Sequence, residues 1–308
     1  MAAAFRSRAG VCEVEVLRGA QAAAARPVDL LLEVPHGATR GADFAALRAQ
    51  LVGDYAEDLR DFFFVNTDVG APELAHEVAR RFVAACPDRV AAVVRCLLPR
   101  TFVDCNRRID EATVPGASAA GAPTPGLPPW VQHDADRRLL LDRYAAYREV
   151  VESGFAAACG GGGLGLMVHT YAPRSIDVAV DDDIVASLRE AYRPERIGSW
   201  PLRAPVDLIT VDPEGRELVA ASVARVAEAE FAAAGLQVER NGAYNLHPIT
   251  MAAAYAARYP GQTMCLELRR DLLVPEFVPF VELAVDPAKV ATAAAPLAAA
   301  AMAHFAPR

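Results

Sequence analysis

The 308-residue chain lacks the features that would mark a nucleic-acid-binding or membrane protein. Its formal net charge is −8, and proteins that bind nucleic acid normally present a basic surface. The alanine-rich segment 291–305 is interrupted by Pro296 and is too weakly apolar for a membrane span. Residues 1–8 carry positive charge but no apolar segment follows them, so we expect no signal peptide. We therefore expect neither a nucleic-acid partner nor a membrane partner.

Cysteines and aromatic residues are also sparse. The six cysteines show no C-x-x-C spacing, which in a chain of this length favours reduced thiols and a cytoplasmic location. Hydrophobic residues make up 53 % of the chain, enough for a full core without disulfides. Only 7 % of the residues are aromatic, and alanine supplies much of the apolar content. This composition predicts closely packed, alanine-rich helices.

Two well-known motifs are incomplete. The segment from His76 to Arg80 begins like the H-E-x-x-H motif of zinc proteases, but Arg80 stands where the second histidine should be. The glycine run at 160–163 is not followed by the Lys-Ser/Thr pair of a phosphate-binding loop. Neither a zinc-protease helix nor a nucleotide-binding loop is therefore expected.

Short apolar runs alternate with amphipathic segments along the chain. Strands are predicted at 28–34, 89–94, 101–103, 164–168, 207–211 and 261–273, and helices at 72–86, 134–159, 213–236 and just before Tyr259. Such alternation is typical of the α/β class, here a three-layer sandwich with a central mixed, mostly parallel sheet.

Two segments between these elements carry no regular pattern. The proline- and glycine-rich segment 111–130 is longer than a normal connection, and it is either a mobile lid or a surface insertion. The charged segment 174–205, with three consecutive aspartates at 181–183, is expected to be a solvated loop.

A cluster of charged residues follows the predicted strand 101–103. Arg100, Asp104, Asn106 and Arg107 stand close together in sequence. Guanidinium groups bind carboxylates through two parallel hydrogen bonds, and an asparagine amide adds a directed donor. The cluster indicates a site that binds an anion, although an ordinary Asp–Arg ion pair at a strand end would give the same pattern.

Four further polar residues lie where chemistry is expected. His36 and His169 follow buried strands, Asp68 precedes a helix, and Glu267 lies inside an apolar strand, where a carboxylate is costly without a partner or a role. Two histidines, an aspartate and a free glutamate are the ingredients of a catalytic zinc site with three protein ligands.

Each of these residues has a structural alternative. His36 could be a hydrogen-bonded core histidine, and Asp68 could cap the following helix. Glu33 or Glu57 could then take its place as a ligand. Glu267 could form an ion pair with a neighbouring arginine, and Arg269 is favoured because residues two apart on a strand share a face.

Taken together, the ordered motifs resemble the N-formylglutamate amidohydrolase family, relatives of zinc carboxypeptidases and aspartoacylases. The matching segments, between about residues 28 and 273, are Pro35-His36-Gly37, Asp68-Val-Gly-Ala71, Arg100-x-x-Val-Asp-Cys-Asn-Arg107, His169-Thr170, Asn241 to Tyr244, and Leu266-Glu-Leu-Arg-x-Asp-Leu272. The resemblance implies a single domain over 1–308 with the phosphorylase/hydrolase-like fold of zinc carboxypeptidases.

The resemblance also implies roles for individual residues. His36, Asp68 and His169 would bind Zn²⁺, and Glu267 would be the general base. Arg100 would face the scissile carbonyl. The candidate substrate-binding residues are Asn106, Arg107, Asn241, Tyr244 and Arg269.

Three functions are compatible with these expectations. The leading hypothesis is a zinc-dependent amidohydrolase that cleaves the amide of an N-acyl acidic amino acid, such as N-formyl-L-glutamate. The second is a carboxypeptidase-like or amidase activity on a peptide or another acylated metabolite. The third is a non-catalytic carboxylate-binding protein, which the presence of Glu267 beside both histidines disfavours. In each case the partner is a small molecule or peptide that bears a carboxylate.

Overall fold

The structure is a computed structural model that describes residues 5–110 and 112–306. Residues 1–4, Glu111 and residues 307–308 lie outside the described residues. The ends of the predicted domain 1–308, half of the segment 1–8 and the first residue of the segment 111–130 therefore fall outside them.

The centre of the molecule is a seven-stranded sheet in the order β1-β3-β2-β4-β7-β5-β6. Its strands are β1 (Cys12–Arg18), β2 (Leu30–Val34), β3 (Val90–Cys96), β4 (Leu164–Tyr171), β5 (Val206–Ile209), β6 (Val238–Arg240) and β7 (Thr263–Arg269). The four central strands β3, β2, β4 and β7 run parallel, whereas β1 and β5 pair antiparallel with β3 and β7. The predicted mixed, mostly parallel sheet is confirmed.

Helices cover both faces of the sheet. They are α1 (Gly41–Arg48), α2 (Leu59–Asn66), α3 (Ala71–Ala85), α4 (Asp134–Cys159), α5 (Ile184–Ala191), α6 (Pro194–Ile197), α7 (Ala221–Ala233), α8 (Met251–Arg258) and α9 (Pro287–Ala303). Helices α3 and α7 both pack on α9, whose contact face is largely alanine. In the other layer Phe155 of α4 stacks on Tyr255 of α8, with ring centroids 4.1 Å apart. The central strands β2 and β4 are buried along their whole length, as strands covered on both faces must be.

None of the helices within the described ranges is long and apolar enough to cross a membrane.

Several predicted elements differ from the observed ones. The predicted strand 101–103 is a turn, because Phe102 and Val103 donate their amides back to Pro99 O instead of pairing in the sheet. The predicted helix 213–236 is shortened to α7. The segment 174–205 is not simply a solvated loop, since it contains α5 and α6 and buries Ile184 and Leu188. Helix α4 begins and ends as predicted.

The strand directions place three polar residues at one edge of the sheet. Strands β2, β4 and β7 are adjacent and parallel, with β4 in the middle. Their carboxyl ends therefore lie side by side, the edge at which open α/β sheets bind ligands. His36 follows β2, His169 lies near the end of β4, and Glu267 lies near the end of β7.

Candidate metal centre and active site

His36, Asp68 and His169 meet at this edge of the sheet, as predicted. Asp68 Oδ2 lies 3.2 Å from His36 Nδ1 and 3.0 Å from His169 Nδ1. One donor atom from each residue lies within 4.8 Å of the others, and all three side chains are buried. Two imidazole nitrogens and one carboxylate oxygen are a ligand set that catalytic zinc sites use. The cluster could therefore hold a metal ion.

The structural alternatives for Asp68 and its substitutes are not observed. The residue at the start of α3 is Gly70, in a left-handed conformation with φ 85°, and no side chain caps that helix. The Asp68 carboxylate instead faces both histidines and lies 3.6 Å from Arg270 Nη2. Glu33 accepts a hydrogen bond from Tyr147 at 2.8 Å, and Glu57 is exposed. The helix-cap interpretation of Asp68 is therefore wrong.

The second ring nitrogen of each histidine also has a polar neighbour. His36 Nε2 lies 2.8 Å from Asp104 Oδ1, and His169 Nε2 lies 3.4 Å from Asn106 Nδ2. A carboxylate on the second nitrogen of a ligating histidine fixes its tautomer and makes it a stronger ligand. Gly37 allows the tight turn that places His36, because a Cβ atom there would lie 2.7 Å from Arg95 Cγ. His36 is therefore oriented before any metal binds.

The two aspartates at the site are held in the ionised form. Burial acts to raise the pKa of Asp104, but Arg100, Arg107 and His36 outweigh it, so that this pKa lies well below its ordinary value. Burial acts on Asp68 in the same direction, and there His36 and His169 outweigh it and lower the pKa. Both carboxylates are therefore available as anions at neutral pH, as a metal ligand and its outer partner must be.

Glu267 lies beside the three donors but is bonded to none of them. It is the direct partner of His169 in the register of β4 and β7. Its Oε2 is buried and has no hydrogen-bond partner among the described residues. Burial raises the pKa of Glu267 to about 7, with the Asp68 charge adding to the effect. A carboxyl group that titrates near neutrality can both accept and return a proton.

The structural alternative for Glu267, an ion pair with Arg269 or Arg270, is not observed among the described residues. Arg269 bonds instead to Asp271, with Nε 2.9 Å from Oδ1. Arg270 donates to Val65 O and, at 3.1 Å, to Thr170 O, and its guanidinium approaches Asp68. A structural ion pair therefore does not explain the carboxyl group of Glu267.

A cavity of about 220 Å³ opens in front of these groups. Its polar wall includes Asp68, Arg100, Asp104, Arg203, Tyr244, Glu267 and Arg270. Its apolar wall comes from α2, from the segment 124–130 and from the segment 172–188. The cavity therefore brings Asp68, one of the three candidate metal donors, and the free glutamate to a partly apolar space.

Arg100, predicted to be catalytic, and the predicted substrate-binding residues lie at different places relative to this cavity. Arg100 and Tyr244 line it. Asn106 lies behind His169 and accepts a hydrogen bond from Ala252 N with its Oδ1. Arg107 lies behind the wall, where its Nε and Nη2 donate to the main-chain oxygen and the hydroxyl of Thr124, each at 2.8 Å.

Two predicted substrate-binding residues are used elsewhere in the fold. Asn241 has φ 55°, and its Oδ1 accepts hydrogen bonds from Thr210 N and Val211 N, so it stabilises the turn after β6. Arg269 pairs with Asp271 and donates to Arg203 O at 3.1 Å. Neither lines the cavity in the described part of the chain.

Sequence reasoning did not assign three charged residues of the site. Asp104 stood in the recognised motif, and its position among apolar residues was a usable signal for a buried role. Arg270 directly follows the strand that carries Glu267, but nothing in the sequence shows that it turns back toward Asp68. Arg203 comes from the irregular segment 174–205, where no local pattern marks it.

Comparison with known proteins supports the fold. No protein-family model matches the chain. No curated protein matches it either. Among solved structures, the N-formylglutamate amidohydrolase from Ralstonia eutropha JMP134 matches over 95 % of this chain and 97 % of its own, with a TM-score of 0.56 and 18 % identity. A gene product from Agrobacterium tumefaciens matches over 98 % of both chains, with a TM-score of 0.55 and 18 % identity. The resemblance to N-formylglutamate amidohydrolases is therefore confirmed in the fold, which this chain shares along nearly its whole length.

Proposed function

We propose that the protein is a zinc-dependent amidohydrolase that cleaves a linear amide bond in a small N-acyl amino acid bearing a carboxylate. The observation that carries the proposal is Glu267, a carboxyl group with an unbonded oxygen beside the cluster His36, Asp68 and His169. The fold shared with the Ralstonia N-formylglutamate amidohydrolase makes N-formyl-L-glutamate the reference substrate.

Each residue of the site has a place in this chemistry. His36, Asp68 and His169 would hold the zinc ion, which when bound would act as a Lewis acid. Glu267 takes a proton from the attacking water and returns it to the leaving amine. Arg100, on the cavity wall, stabilises the negative charge that develops on the carbonyl oxygen.

The size of the cavity supports a small substrate over a long peptide. Pockets for drug-sized ligands typically have volumes of about 300–1,000 Å³. The cavity here, about 220 Å³, is smaller and suits a small molecule or one terminal residue of a peptide. A protein that only bound carboxylates would have no use for Glu267, because an unpartnered buried carboxyl group destabilises the fold.

A hydrolysis screen with metal analysis tests the proposal. The purified protein should contain about one zinc ion per chain, by the three-ligand logic of catalytic zinc sites. With zinc present it should hydrolyse at least one member of a panel of N-formyl amino acids, N-acetyl amino acids and dipeptides. Metal-free protein that hydrolysed the same substrate at the same rate would contradict the zinc mechanism. The cytoplasmic location and the absence of a nucleic-acid partner stay predictions.

A further inference from the structure

We infer that the substrate of this site is a monocarboxylate with a bulky apolar group, and that Arg203 binds its carboxylate. The inference rests on the proposed function for the identity of the bond that is cleaved. It has two parts: a cation without a carboxylate partner and an apolar part of the cavity wall.

The guanidinium group of Arg203 lies on the cavity wall, where neighbouring residues hold it in place but no carboxylate pairs with it. Its Cζ lies 5.0 Å from the ring centroid of Tyr171 and 5.7 Å from that of Tyr244. Nη2 donates to Tyr244 Oη at 3.1 Å, and Nη1 donates to Ala172 O at 3.4 Å. Its Nε is buried and has no acceptor, and within the described ranges no carboxylate lies within 4.0 Å of its guanidinium. Stacking between rings fixes the plane of the group, and a fixed plane is what two-point binding of a carboxylate requires.

The main chain of Arg203 is fixed as well. Its amide donates to Pro173 O at 2.9 Å, and its carbonyl oxygen accepts from Arg269 Nη1 at 3.1 Å. Arg269 therefore acts as a positioning residue for Arg203, which gives this predicted substrate-binding residue an indirect part in the site.

The other charges on the cavity wall already have partners or a role. Asp68 lies 3.6 Å from Arg270, and Arg100 donates to Asp104 at 2.9 Å. Glu267 has the proton-transfer role in the proposed mechanism. Arg203 is thus the one cavity-lining arginine in the described structure that has no carboxylate within ion-pair distance. A single arginine without a carboxylate partner can neutralise one carboxylate of a substrate, which favours a monocarboxylate.

Much of the remaining cavity wall is apolar, although Asn66, Thr124 and Thr170 also line it. Phe62 lies on α2, Trp130 follows the proline-rich segment, and Ile176, Val178, Val180 and Leu188 lie on or before α5. A carboxylate placed against this wall would lose water without gaining a partner, which is strongly unfavourable. An aliphatic or aromatic group would instead gain from the burial of its surface. The wall therefore disfavours the second carboxylate of N-formyl-L-glutamate and favours an apolar side chain in its place.

Equilibrium binding to the full-length zinc-loaded Glu267→Gln protein tests both parts. This variant removes the proposed base, so that the ligands stay intact during a calorimetric titration. The ligands are N-formyl-L-phenylalanine, its carboxamide and N-formyl-L-glutamate. We expect the first to bind about 10- to 100-fold more tightly than either of the others, the range for a charged hydrogen-bonded contact.

Two further substitutions in that background identify the contacts. Arg203→Met should reduce the preference for the carboxylate over the carboxamide to about twofold or less, because one hydrogen-bonded charge is removed. Arg196→Met is the matched control, since Arg196 is exposed and pairs with Glu190 outside the cavity. Val178→Lys should weaken binding of the phenylalanine derivative and strengthen binding of N-formyl-L-glutamate.

The possible outcomes separate the inference from the proposed function. A carboxylate preference that survives Arg203→Met would overturn the role of Arg203. N-formyl-L-glutamate binding as tightly as the phenylalanine derivative, or no measurable binding of any of the three ligands, would overturn the substrate class. If the expected binding pattern were found but the wild-type protein hydrolysed none of these amides, the inference would stand and the proposed function would fail.

Discussion

Two charged regions of the site, the candidate metal donors (the donor end) and Arg203, differ in how many of their charges have a partner of opposite charge. At the donor end, Asp68 contacts two histidines and an arginine, and Asp104 contacts His36 and Arg100. Elsewhere on the cavity wall, the Arg203 guanidinium lies near the rings of Tyr171 and Tyr244, and its buried Nε has no acceptor among the described residues. Arg203 is half-buried, and a charge partly removed from water without a charged partner is unfavourable unless a ligand supplies that partner. The charges of the donor end are therefore matched within the protein, whereas Arg203 has no carboxylate partner among the described residues, in line with the role we infer for it.

Glu267, which lines the same cavity, gives the largest expected effect. Glu267→Gln keeps the size and polarity of the side chain but removes its basicity. We expect kcat to fall by at least about 10²- to 10⁴-fold, the usual contribution of general acid–base catalysis, with the zinc content unchanged. Steady-state kinetics and metal analysis of the same preparation measure both quantities. Near-normal turnover in a zinc-loaded variant would assign Glu267 to structure and require another base.

Asp104 tests whether the donor end depends on its outer contacts. Asp104→Asn should weaken zinc binding by about 10- to 100-fold, because the carboxylate that orients His36 is lost. Competition with a chelator measures this affinity. Asp29→Asn is the matched control, since Asp29 is also buried and paired with arginines but lies before β2, at the amino end of that strand. Equal loss of zinc in both variants would point to general destabilisation.

Arg107 and Arg203 are the two candidates for carboxylate binding and give a direct comparison. If Arg203 binds the substrate, Arg203→Lys should raise KM by about 10-fold, because lysine lacks the planar fork. Arg107→Lys should change KM less, since the Arg107 guanidinium is already bonded to Thr124. A larger effect at Arg107 would restore the assignment that the sequence resemblance implies.

Asp136 offers a carboxylate outside the cavity whose role is structural. It accepts hydrogen bonds from Val52 N at 2.9 Å, Gly53 N at 2.8 Å and Tyr55 Oη at 2.9 Å. Burial acts to raise its pKa, but these hydrogen bonds outweigh it, and the pKa lies below the ordinary value. Asp136→Asn should lower the free energy of unfolding at pH 7 by about 1–3 kcal/mol, with no effect on zinc binding.

The pH dependence of that effect has a definite sign. Because the folded pKa of Asp136 is depressed, its stabilisation is fully present above the unfolded pKa and is lost as the pH falls through the folded pKa. The difference in urea stability between wild type and Asp136→Asn should therefore shrink below about pH 4, the ordinary range for an aspartate. Asp134→Asn, an exposed neighbour in the same helical turn, should show little difference at any pH.

The sequence alone predicted most of the fold, and the family resemblance carried by its motifs pointed to the candidate metal donors. Buried strands such as Leu164–Tyr171 can be predicted from their apolar runs. Helix α4 can be predicted from its amphipathic period and from the glycines that end it. His36, His169 and Glu267 could be located because polar residues near the ends of apolar strands are conspicuous. The adjacency of β2, β4 and β7, which brings them together, follows only from the strand order.

Only the tertiary structure decided which residues line the cavity. Arg107 stands in the most specific motif, yet its guanidinium is bonded to Thr124 behind the wall, and Asn241 serves a turn. Arg203 and Val178 come from a segment without periodicity, and the turns around α5 carry them to the cavity. The spacing of apolar residues along the chain predicts strands and helices, because it shows which face of each element is buried. The partners of a long flexible side chain depend on groups distant in sequence, and those become neighbours only when the chain folds.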